Sequence, residues 1–183
     1  MIEPPLDVGA AARLSTAFRL RDVVCVSLEA KQVAAEPPAA DFSLEWDAPP
    51  TNVFWELVDR RLKVVLPLNL FVHARGEGKN GKKVPLAEIG IVLRLEYEAN
   101  DGASWKDEDL PHYVGITAYL HAWPYFRADV QWLTAKLGYP PLVLPVIVSG
   151  HAARLVSVTR LREVGAGVKK TRAKRKGAGH ASR

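Results

Sequence analysis

Five histidines, one cysteine and a glycine- and lysine-rich loop are the side chains through which this sequence would do chemistry. Their spacing argues against each in turn. His73, His112, His121, His151 and His180 form no HExxH pair and no pairing with a cysteine, whereas a tetrahedral metal site gathers three or four ligands. Cys25, the single cysteine, can make no intrachain disulfide and no CxxC pair, and it lies in a strand pattern without a nucleophile motif. GEGKNGKK, residues 76–83, lacks the GxxxxGK[ST] order of a phosphate loop and reads as a hairpin turn. The expectation is therefore a protein that is not an enzyme and holds neither metal nor cofactor. What the chain has in quantity is apolar and aromatic material, including five tryptophans and a proline-rich arm from Tyr139 to Ile147. Large accessible apolar surfaces mark binding sites for other polypeptides. Trp46, Trp55 and Trp105 have packing in the core or under loops as their plain alternative.

Charge is unevenly placed. Seven of the 25 Lys and Arg lie in residues 165–183 with no acid, which leaves 18 bases against 20 acids, net −2, for residues 1–164. KKTRAKRK in this tail would neutralise several phosphates, so a nucleic-acid-binding protein acting through the tail is the rival reading. A net acidic body weighs against it, because nucleic-acid modules normally carry a basic folded face as well. Nucleic acid is thus not the expected partner. The N-terminus has Glu3 and two prolines where a signal peptide would be basic and then apolar. The apolar runs are too short for a bilayer-spanning helix, and the lone cysteine suits a reducing compartment. A cytoplasmic protein without membrane insertion is the expectation.

The elements that must position these residues follow from hydrophobic periodicity. Residues 1–12 read as a flexible arm, 13–164 as one domain and 165–183 as a disordered basic tail. From Phe18 to Ala30 the apolar residues Phe18, Leu20, Val24, Val26, Leu28 and Ala30 alternate with polar ones, and Asp22 marks a bulge. A Pro/Ala connector leads to a short strand with Phe42, Leu44 and Trp46. Every even position from Leu62 to Ala74 is apolar, and Pro67 within that run argues for an edge or a bulge. A hairpin loop leads into Ala87, Ile89, Ile91, Leu93, Leu95 and Tyr97. Residues 149–164 suit a helix capped by Ser149, although Val156, Val158 and Thr159 weaken it.

A helix is expected from Pro124 to a stop at Gly138. Phe126, Val130, Leu133 and Leu137 make one apolar stripe and Tyr125, Ala128, Trp132 and Ala135 a second, leaving Arg127, Gln131 and Thr134 for water. Such a helix needs cover on two sides, by its own sheet and by a sister subunit; burial in a monomer core is the alternative. Four strands with one apolar face and a covering helix give an α+β domain with a four-stranded antiparallel sheet.

Trp123-Pro124-Tyr125-Phe126-Arg127 resembles the aromatic-Pro-Tyr-x-Arg helix start of the SecB-type export chaperones. Tyr139-Pro140-Pro141-Leu142-Val143-Leu144 is similar to that family's aromatic-Pro-x-Leu-x-Leu segment at the same distance downstream. Val26-Ser27-Leu28-Glu29-Ala30 and Leu86-Ala87-Glu88-Ile89 resemble stretches of its first and last strands. The resemblance covers residues 15–147. It implies an ATP-independent holdase that binds unfolded preproteins and passes them to SecA, assembled as a homotetramer, a dimer of dimers. It also implies a peptide-binding groove with Trp123, Tyr125, Tyr139, Leu142 and Leu144; for Trp123 and Tyr125 packing between subunits is the alternative. Phe126, Val130, Trp132 and Leu133 belong to the implied subunit interface, and Glu29, Leu86 and Glu88 to a SecA-docking patch. The aspartate that this patch would have four residues before Glu29 is Cys25 here. The family's solitary SecB-like members protect the antitoxin of a toxin-antitoxin pair, which makes an antitoxin the alternative client.

Overall fold

In a computed structural model, which describes residues 6–33, 42–76 and 83–161, the chain runs α1 (Val8–Arg13), β1 (Phe18–Gln32), β2 (Phe42–Asp47), β3 (Thr51–Val58), β4 (Arg61–Gly76), β5 (Lys83–Ala99), α2 (Leu110–Tyr113), a π-helical turn (Val114–Ala118), α3 (Tyr119–Lys136), α4 (Ser149–Leu155) and β6 (Val156–Arg160). The expected connector and hairpin loop lie largely outside the described residues, and the basic tail 165–183 wholly outside them.

Strict alternation puts Leu62, Val64, Leu66, Leu68, Leu70, Val72 and Ala74 of β4, and Ala87, Ile89, Ile91, Leu93, Leu95 and Tyr97 of β5, on one buried face. The sheet has six strands rather than four, in the order β1-β5-β4-β3-β6, with β2 also paired to β4. It is mixed, because β6 runs parallel to β3. Two strands escape the sequence pattern for different reasons. β3 points Thr51, Val53 and Trp55 inward but carries Phe54 on its other face, which blurs the alternation. β6 is the second half of the segment expected to be helical: α4 stops at Leu155, and β-branched Val156, Val158 and Thr159 continue as strand.

β3 pairs with β4 up to Val65 and β2 pairs from Phe71 onward, so over residues 66–70 β4 has no strand partner on that side among the described residues. Pro67 sits in this gap, where β4 is locally an edge and a missing N–H costs no ladder bond. Two register shifts in β1, at Leu20/Asp22 and Cys25/Ser27, change its phase and then restore it. Between them Val23 and Cys25, not Val24 and Val26, stand on the core side of the strand, opposite Leu95 and Leu93.

Residues 8–12, expected as part of a flexible arm, form α1 together with Arg13. Asp7 caps it by accepting from the Gly9 N–H at 2.8 Å, and Arg13 pairs with the nearly buried Asp109 at 2.7 Å. That hydrogen bond to Arg13 holds the Asp109 carboxyl below the usual carboxylate range. The helical region also begins earlier than Pro124, at Leu110, and Pro124 lies inside α3. A π-helical turn joins α2 to α3 at Gly115, where an added Cβ would stand 2.3 Å from Leu6 and 2.8 Å from Val158.

α3 ends as the sequence indicates. Gly138 has φ +83, and the N–H groups of Gly138 and Tyr139 donate to the carbonyls of Ala135 and Thr134. Gly138→Ala is expected to lower stability by about 1 kcal/mol in denaturant unfolding, because the left-handed conformation penalises a Cβ; an unchanged midpoint would refute this reading of the cap.

Candidate functional site

Helix α3 and the chain that returns along it carry most of the residues singled out in the sequence. The two stripes of α3 separate cleanly. Phe126, Val130 and Leu133 are buried in the core shared with β4 and β5, and Leu137 is half-buried. Each such side chain contributes about 1.5–3 kcal/mol relative to exposure. Tyr125, Ala128, Trp132 and Ala135 are all exposed, Tyr125 at 48% and Trp132 at 54%. Of the four implied interface residues, Trp132 alone stays open; Phe126, Val130 and Leu133 are covered within the chain.

Residues 139–147 lie alongside α3, held by side chains rather than by a strand ladder. The Trp123 indole donates to the Pro145 carbonyl at 2.8 Å and Arg127 Nε to the Leu144 carbonyl at 2.7 Å. Thr134 Oγ1 accepts from the Leu142 N–H at 2.9 Å while donating to the Val130 carbonyl, and the Tyr139 hydroxyl donates to the Leu86 carbonyl at 3.2 Å. Thr134, expected to face water, is fully buried because its hydroxyl fastens the arm. The pairs 123/145, 127/144 and 134/142 show the arm running back along the helix.

This fastening decides where the groove residues sit. Trp123, Tyr139, Leu142 and Leu144 are buried in the core of the single chain, and only Tyr125 of the five is exposed. The open side of the arm presents neighbours the sequence reading passed over: Val143 at 65% and Val146 at 76%, with Val148 also exposed. The signal was available, since in an extended segment Leu142 and Leu144 facing in obliges Val143 to face out.

The opposite face of the sheet carries Glu29 and Glu88, both exposed, around a cleft of 260 Å³ that Asn69, Phe71 and Gly90 also line. Leu86 is not on this face. The register shift between Val72 and His73 leaves Leu86 as the extra residue of a bulge, and its side chain is fully buried. Cys25 meets the field of Asp129 on α3; burial first, and then that charge, push its thiol up, away from the reactive thiolate. Among the described residues no group of three His, Cys, Asp or Glu is placed to hold a metal. His121 instead hydrogen-bonds the Tyr97 hydroxyl at 3.1 Å, and burial lowers the imidazole pKa while raising that of the phenol. No described helix is long and apolar enough to cross a membrane.

No family model matches the chain, and no curated protein matches it. Among solved structures, the SecB-like chaperone Rv1957 of Mycobacterium tuberculosis, in complex with a ChAD peptide from the antitoxin Rv1956 HigA1, aligns with a TM-score of 0.58 and 21% identity, over 76% of this chain and 97% of that one. A protein of unknown function from Streptococcus agalactiae aligns with a TM-score of 0.38 and 7% identity, over 70% of this chain and 96% of that one, and nothing is built on it. At these identities the likeness is one of fold: this chain folds like a SecB-like chaperone.

Proposed function

We propose that the protein is an ATP-independent holdase that covers unfolded polypeptide segments. The observation that carries this reading is the open side of the arm, Val143, Val146 and Val148, on a fold similar to that of a SecB-like chaperone. An unfolded segment offers apolar side chains and unpaired backbone, and a stiff apolar wall covers the first without reading sequence. Pro140, Pro141 and Pro145 supply the stiffness. The stripe from Tyr125 to Ala135 is the surface for a sister subunit, and the long outer edge of β1 is a second one. A dimer of dimers would place several walls on one assembly, where effective concentration along one bound chain supplies avidity. The purified protein is expected to suppress aggregation of a denatured client without nucleotide. No suppression at several-fold molar excess would sink the proposal.

Two observations favour an antitoxin segment over a SecA-bound preprotein as client. The SecA-docking patch keeps Glu29 and Glu88 but has Cys25 for its expected acid and Leu86 inside the core. The structural neighbour holds an antitoxin peptide. Calorimetry against SecA separates the two: binding lost on Glu88→Lys would restore the export reading.

A further inference from the structure

The charges along the arm and its flanks are of one sign. From Val130 to Leu161 the chain carries Lys136, Arg154 and Arg160 and no Asp or Glu. α4, which continues the arm, buries Ala152 and Ala153 and exposes His151 and Arg154, three residues apart and so on one helical face. Asp129, the acid of α3, lies two residues from Arg127, about 200° around the helix. Its field reaches Cys25 on β1; burial pushes its carboxyl up, and no cation pulls it back.

Arg127 is the base that the fold holds in place beside the wall. Its Nε donates to the Leu144 carbonyl at 2.7 Å, and Leu144 stands between the exposed Val143 and Val146. Its two terminal nitrogens have no carboxylate or carbonyl partner among the described residues, and the side chain is half-buried. One edge of the planar fork is thus fixed while the other stays open, so a ligand meets donors that are already oriented. A segment that covers both valines also takes water from this guanidinium. An apolar or basic segment would leave it without compensation, whereas a carboxylate would replace the lost water with charge-assisted hydrogen bonds.

We propose that the wall selects client segments that are acidic as well as apolar: an Asp or Glu of the client pairs with Arg127 while its apolar neighbours cover Val143 and Val146. Adjacent Cα atoms are about 3.8 Å apart, so the carboxylate and the apolar side chains belong within a few residues of each other in the client. His151 and Arg154 extend the same preference along α4. The inference rests on the holdase reading and names the class of segment that the holdase takes.

The test is fluorescence anisotropy of labelled, unstructured peptides that share their leucines and differ only in carrying Glu, Gln or Lys between them. At about 0.1 M salt the full-length protein is expected to bind the Glu peptide about tenfold tighter than the Gln peptide, the worth of one charge-assisted hydrogen bond, and the Lys peptide most weakly. Arg127→Gln keeps a donor for the Leu144 carbonyl and loses the charge. It is expected to cut the preference for Glu over Gln to about twofold and to leave the Gln peptide's affinity unchanged. Arg127→Lys should restore part of the preference. A purely structural role for Arg127 would instead weaken all the peptides alike, and that result would overturn the inference. Equal binding of the Glu and Lys peptides would also overturn it while leaving the holdase reading in place. So would a Glu preference undiminished in Arg127→Gln, which would move the charge contact to another part of the chain. Failure of every peptide to bind would overturn both. The comparison of peptides on the unaltered protein needs no variant, so the test stays decisive should Arg127→Gln loosen the arm.

Discussion

Trp123→Ala is expected to lower the stability of the chain by about 3–5 kcal/mol, the usual cost of emptying a large aromatic site in a core. Two losses coincide at this residue. Its ring, 5% exposed, packs 5.6 Å from Tyr119 and 5.4 Å from Phe126, and its indole N–H holds the Pro145 carbonyl. The first loss opens a cavity beneath the helix; the second unfastens the end of the arm. Trp123→Phe separates them, since it keeps most of the packing and removes the donor, at about 1 kcal/mol. Denaturant unfolding reads the stability, and limited proteolysis within 139–148 reads the arm. The assignment fails if Trp123→Ala costs less than about 1 kcal/mol, because Trp123 would then be replaceable packing.

Val143→Asp with Val146→Asp should behave in the opposite way. Both side chains are open to solvent, so each substitution is expected to change stability by no more than about 0.5 kcal/mol. Two carboxylates on the wall would have to be desolvated whenever an apolar segment lies against it. Suppression of client aggregation is therefore expected to drop at least about tenfold in potency, which corresponds to about 1.4 kcal/mol. Full holdase activity in this variant, with a wild-type unfolding curve, would move the client site off the arm. The pair of experiments also distinguishes the two sides of one segment: Leu142 and Leu144 anchor it, and Val143 and Val146 face outward.

β4, and β5 from Ala87 onward, are legible because a period of two sustained over that length admits no other reading. β1 was legible as a strand but not in phase, since its two bulges cancel and only Asp22 betrays the first. The end of the helix is legible at Gly138, whereas its start is not, because Pro124 lies inside α3. Val114, Gly115, Ile116 and Thr117 are poor helix formers, and the space at Gly115 is closed by Leu6 and Val158, from distant parts of the chain. The α3 stripes were readable from spacing alone. Burial of the groove residues was not, because it depends on Thr134 and Arg127 turning from the solvent strip to bind the arm. Arg19, Arg61 and Glu98 are another case, since they meet only through strand register.

The two rims of the sheet are unequal, and this bears on how large an assembly can grow. β1 offers fifteen residues of continuous outer edge. On the far side the edge is broken into the six residues of β2, which pair with β4, and the five of β6, which pair with β3. Two copies that join edge to edge through β1 consume the only long template each possesses among the described residues. Growth by strand addition is then self-terminating: it stops at a closed pair instead of propagating into a fibre.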